Sequence, residues 1–139
     1  MLSLPHLIEE GDLLYYAHTS MDIQIVEKSL SRAELETIAK QRFGDFVKAV
    51  VDTKKEIMAV GGELHADAEA LLIEHGSHQN DLWGINLYPG KTGDEFVEYD
   101  SMINIRPSQG NRSRGVDDPA VREKILAIVA KLITSSESR

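Results

Sequence analysis

The stretch that most limits what this chain can become is FVKAVVDTKKEIMAVGG, residues 46–62. Two apolar runs rich in β-branched residues, 46–53 and 56–62, are joined across Lys54 and Lys55 alone. Such runs read as strands, and so short a link lets them pair only antiparallel, as a hairpin. The rest of the chain has to complete and cover an antiparallel sheet.

IQIVEK, 23–28, supplies a further strand. In LSRAELETIAKQRFG, Ser31 and Glu34 stand at capping-box spacing, and Leu30 and Leu35 are placed for a hydrophobic staple. Leu35, Ile38, Ala39 and Phe43 fall on one helical face and Gly44 is the stop, which predicts a helix over 32–43. Leu64, Ala68, Leu71 and Leu72 predict a second helix over 65–75, ended by Gly76. DLWGINLY, 81–88, and EFVEYDSMINIR, 95–106, read as two strands, with Pro89, Gly90 and Gly93 turning the chain between them. Asp118 is a good N-cap with Pro119 at the first helical position, and Val121, Ile125, Ile128, Val129 and Leu132 make the core stripe of a last helix. The closing TSSESR is expected to fray. The order β-α-β-β-α-β-β-α predicts an α+β fold, a mainly antiparallel sheet with helices packed on one face.

Residues 1–22 differ from the rest, with no clear period and two helix breakers, Pro5 and Gly11. Two readings stand: a natural start at Met21, or a packed N-terminal arm using Leu13, Leu14, Tyr15 and Tyr16. Residues 23–139 read as a single domain. The absence of cysteine excludes disulfides, thiolate zinc sites and a cysteine nucleophile, and fits a cytoplasmic protein. No apolar run approaches the ~20 residues of a membrane span. Glu9, Glu10 and Asp12, without a basic flank, argue against a secretory signal. A formal net charge of -8 disfavours nucleic-acid and anionic-membrane partners.

Against that acidic balance, INIRPSQGNRSRGVDDP, 103–119, places Arg106, Arg112 and Arg114 in one loop, with no acid before Asp117. If residues 95–106 pair with 81–88, period-two alternation puts Asn86, Tyr88, Asp100, Asn104 and Arg106 on one face. That face is either the floor of a pocket or an exposed edge. The loop leaves from it, carries Gln109 and Asn111, turns at Gly110 and Gly115, and runs into a helix N-terminus, a place that favours anions. Arginine forks suit carboxylate and phosphate. The ligand-binding candidates are therefore Asn86, Asp100, Asn104, Arg106, Gln109, Asn111, Arg112 and Arg114. Against this, Asp117 and Asp118 occupy the helix start, and the arginines can pair internally with Glu63, Asp67, Asp94 or Asp100. The Walker spacing is absent.

His65, Asp67 and Glu69 are the candidate acid–base set. On a strand all three would share a face fit to hold a metal; on the better-supported helix only His65 and Glu69, four apart, do. The plain alternative is that they are helix-cap and dipole partners. Neither HExxH nor a zinc-deaminase pattern is present.

The runs GDFVKAVVD, GGELHADAEALLIEHGS, QNDLWGINLYP and DSMINIRPSQGNRSRGVDD together resemble a prokaryotic family of small proteins, the domain of unknown function 5674. The resemblance spans about residues 23–134 and implies a start near Met21, but it implies no activity, cofactor or catalytic residue. The residues themselves lead to an expectation: a small domain binding a phosphate or carboxylate compound through the arginine loop. The competing expectation is a structural or homodimeric interaction module, with the loop pinned by internal salt bridges. RNA binding through the loop is disfavoured by the acidic balance. No reaction follows from the sequence.

Overall fold

A computed structural model describes residues 22–135. The two readings of the N-terminus, a start at Met21 and a packed arm, fall outside the described residues.

In chain order the elements are β1 (Ile23–Val26), β2 (Leu30–Ser31), α1 (Arg32–Arg42), β3 (Val47–Asp52), β4 (Ile57–Gly61), α2 (His65–Glu74), β5 (Leu82–Leu87), β6 (Val97–Glu98), α3 (Pro119–Leu132) and β7 (Ile133–Thr134). Ser31 and Glu34 form the reciprocal capping box: Ser31 Oγ accepts from the Glu34 amide at 3.0 Å, and Glu34 Oε1 from the Ser31 amide at 2.9 Å. Asp118 caps α3 by accepting from the Ala120 amide at 2.9 Å. The hairpin forms between β3 and β4, and its turn is set by Asp52, which is 1% exposed. Asp52 Oδ1 accepts from the amides of Lys54 and Lys55, and Oδ2 from Ser77 Oγ at 2.5 Å. One side chain thus satisfies two turn amides and ties the turn to the chain after α2.

Five strands form one sheet in the order β1-β4-β3-β5-β6, every neighbouring pair antiparallel. The α+β class and the mainly antiparallel sheet are as expected. The helices, however, do not share a face. Ala49, Val51, Met58, Val60, Ile85 and Leu87 pack with Leu35 of α1 and Ile125 of α3. Val50, Ala59 and Leu82 point the other way and pack with Ala68 and Leu72 of α2. Strands apolar at successive positions, as VV at 50–51 and MAV at 58–60, need cover on both sides.

Two short segments also differ from the sequence expectation. The strand expected over 95–106 ends at Glu98, and residues 102–104 and 107–109 are 3-10 turns. Ser101 caps the first of these with its hydroxyl, accepting from the Ile103 amide at 3.2 Å. The start of the expected fray is held instead, because Ile133 and Thr134 pair in parallel with Leu30 and Ser31. Among the described residues no helix is long and apolar enough to cross a membrane.

Candidate functional site

Beyond Glu98 the edge of β5 is closed by a side chain. Asn104 is fully buried, and its Oδ1 accepts from the Gly84 amide at 2.8 Å while its Nδ2 donates to the Gly84 carbonyl at 2.9 Å. The side-chain amide occupies the place of a neighbouring strand's peptide group. Its Nδ2 also donates to the Arg114 carbonyl at 2.9 Å, so the arginine loop is drawn against the sheet. Asn111, 3% exposed, does the same one turn further on: Nδ2 donates to the carbonyls of Asn104 and Gly115, both at 2.8 Å, and Oδ1 accepts from the Asp117 amide at 2.7 Å.

The three arginines of that loop have three different fates. Arg106 Nε donates to the Ile103 carbonyl at 3.1 Å, Nη1 to the Gln79 carbonyl at 2.8 Å and to Gln109 Oε1 at 3.1 Å, and Nη2 to the Leu82 carbonyl. Its guanidinium also lies 4.3 Å from the Trp83 ring centroid. Burial lowers its pKa, yet a guanidinium stays charged at any physiological pH. Gln109 in turn donates to the Asn80 carbonyl at 3.2 Å. Arg112 has no side-chain partner among the described residues and is exposed; its amide donates to Asp117, whose pKa is lowered chiefly by the Ser113 hydroxyl and by that amide. Arg114 Nε donates to Asp100 Oδ1 at 2.6 Å, and no described residue accepts from its Nη1 or Nη2.

Arg114 and Asp100 stand on the rim of a hollow of about 320 Å³, which the start of β3, the N-terminus of α2, Asn86 of β5 and the 100–103 segment enclose. Lys48 lines it as well and has no carboxylate partner among the described residues; its ammonium lies 5.3 Å from the Phe43 ring centroid. Asn86 and Tyr88 both donate to Glu98 Oε1 at 2.9 Å, which turns Asn86 Oδ1 away from Glu98, and no described group donates to that oxygen. Tyr88, pushed up to about 12 by burial and by Glu98, remains a phenol. A second hollow of similar size borders the first at Phe46 and Lys48, but its own cation, Arg42, is already paired with Asp22 and Glu63.

His65 is the first residue of α2, 7% exposed, and lines the same hollow as Lys48. Its Nε2 lies 2.8 Å from the Ile85 carbonyl; a carbonyl only accepts, so Nε2 carries the proton and Nδ1 the lone pair of the neutral ring. Burial is the main cause of a lowered pKa; Lys48 adds to it, and Ile85, Asp100 and Asn86 oppose it. The unfolded chain therefore takes up a proton on this residue before the folded protein does. Stability is complete above the ordinary histidine value of about 6.5 and falls as pH drops toward the folded value. Replacing His65 by glutamine, whose amide can keep the Ile85 bond, removes that titration. Thermal melts at pH 7.5 and 5.5 are expected to show wild type losing ground to the variant at the lower pH; identical pH responses would contradict this.

Of the sequence-expected candidates, His65, Asn86, Asp100 and Arg114 line this hollow. Asn104, Arg106, Gln109 and Asn111 spend hydrogen bonds on the protein's own structure, on Gly84 of β5, on the 79–82 segment and on the loop backbone, and Arg112 is exposed to solvent. Asp67 and Glu69 do not line it, and Glu69 accepts instead from Gln79 at 3.3 Å. Among the described residues no three His, Asp or Glu side chains are grouped to hold a metal ion. Lys48 was missed by sequence reasoning; its only signal was one lysine inside an apolar strand run. Gly61 and Gly62, with φ of 108° and 85°, make room for the start of β1: a Cβ on Gly61 would strike the Asp22 carbonyl oxygen.

Residues 24–132 match a family described as "Protein of unknown function (DUF5674)". The chain belongs to that family. No curated protein and no solved structure matches it. Membership in DUF5674 brings no activity with it, so the roles of these residues rest on their geometry.

Proposed function

We propose that this protein binds a small anionic compound, a carboxylate or phosphate, in the hollow between β3, β5 and α2, with Lys48 and Arg114 as its cations. The observation that carries this reading is the pair of unspent cationic groups on one concave surface: the Lys48 ammonium without a carboxylate, and the Arg114 Nη1 and Nη2 without acceptors among the described residues. Asp100 holds Arg114 by Nε and leaves free the fork that suits an oxyanion. His65, neutral, and Asn86 offer orienting groups beside it. Thermal shift with inorganic phosphate, acetate and small dicarboxylates at matched ionic strength tests it. A ligand at about a hundred times its Kd stabilises by about 2.7 kcal/mol. A shift from one anion class that Arg114→Gln abolishes and Arg112→Gln leaves intact is the expected result; shifts that follow Arg112 would refute it.

A second reading, a structural or self-associating module, draws support from the internal bonds of Arg106, Asn104 and Asn111. Light scattering from micromolar concentration upward separates the two: a monomer removes the homodimer.

A further inference from the structure

The hollow has an apolar side that the anion alone does not use. Leu64 and Met102 are 54% and 65% exposed, and both line it, with Phe46 and the partly buried Ile103. A single exposed leucine is ordinary. Here two large apolar side chains from separate elements border one concave surface together with two cations. Neither is required where it stands. Leu64 is the N-cap of α2, a position where serine, threonine, asparagine or aspartate would stabilise, and it makes no capping bond. Met102 opens a turn whose bonds come from Ser101 and the backbone. A local rule broken without a local gain points to a site. The charge is also specific: Lys48 and Arg114 against Asp100, with His65 neutral, leave one net positive charge, the complement of a monoanion.

Resting on the anion-binding reading above, we propose that the ligand is an amphiphilic carboxylic acid. Its carboxylate sits between Lys48 and Arg114, and an apolar body of roughly six to eight carbons, suited to a hollow at the small end of ligand pockets, lies against Leu64, Met102 and Phe46.

The test is calorimetric titration of the full chain with sodium acetate, butyrate, hexanoate and octanoate at matched ionic strength, with inorganic phosphate alongside. Affinity is expected to rise roughly fourfold per methylene until the hollow is filled. Leu64→Ser and Met102→Ser, both at exposed positions, flatten that dependence, with a loss that grows with chain length, while Lys48→Gln and Arg114→Gln weaken every acid. Anions that bind through Arg114 with no dependence on chain length would overturn the amphiphile and spare the anion site. Length dependence that survives both Lys48→Gln and Arg114→Gln would reduce the hollow to a greasy patch and overturn the proposal. No binding of any probe would overturn both.

Discussion

Replacing Asn104 by alanine is expected to destabilise the protein by about 2–5 kcal/mol, because the change strands the Gly84 amide and the Gly84 carbonyl in a buried place and leaves the Arg114 carbonyl with the Ser101 amide alone. Each buried backbone group left without a partner costs its desolvation penalty, and an alanine can serve neither group of Gly84. The loss should also be local in a measurable way. Amide hydrogen exchange at Gly84 should accelerate more than exchange at Val50 or Ala59 in the strands beside it. An unfolding free energy from urea titration within about 0.5 kcal/mol of wild type would mean that the side chain only decorates the edge.

Gly84→Ala is expected to cost about 1–3 kcal/mol by overpacking rather than by loss of bonds. A Cβ there would lie 2.6 Å from both Cβ and Oγ of Ser101 and 3.1 Å from Cδ2 of His65. Ser101 is 1% exposed and has nowhere to retreat. Its neighbour His65 would have to shift in turn, so the variant should also raise the accessibility of that imidazole, read from its titration by NMR. Ser101→Gly in the Gly84→Ala background removes the clash and is expected to recover part of the loss; no recovery would contradict the steric account. Because Asn104 bonds Gly84 directly, the two single changes are not expected to add.

The parts of the fold legible in the sequence were those with local causes. The Ser31–Glu34 box, the Asp118–Pro119 start and the 46–62 hairpin each depend on residues a few positions apart, and each forms. What escaped depends on distant partners. Residues 95–106 alternate like a strand, but Asn104 supplies with a side chain the bonds that a strand supplies with its backbone, and nothing in a period-two pattern distinguishes the two. α2 lies across the sheet from α1 and α3 because adjacent positions of β3 and β4 are both apolar, a cue present in VV and MAV but read only as strand propensity.

The candidate site was half legible for the same reason. The arginine cluster was visible, but an arginine's partners here are mostly backbone carbonyls, which every residue carries and no sequence displays. Arg106 is consumed by the carbonyls of Ile103, Gln79 and Leu82, and Arg114 is held by Asp100, one of the internal acids weighed for that role. His65 keeps its place in the hollow, while Asp67 falls outside it because the segment is helical from His65 onward, and Glu69, one turn beyond His65, lies outside it with Gln79 as its partner.

The most direct test of the anion site is a two-dimensional amide NMR titration of the isotope-labelled protein with sodium acetate and with inorganic phosphate. Saturable shifts are expected at Lys48, Ala66, Met102 and Arg114, with quiet resonances at Arg112 and along α3, and with loss of the response in Arg114→Gln. Shifts centred on Gly110 and Arg112, or linear shifts spread over the whole spectrum, would contradict it.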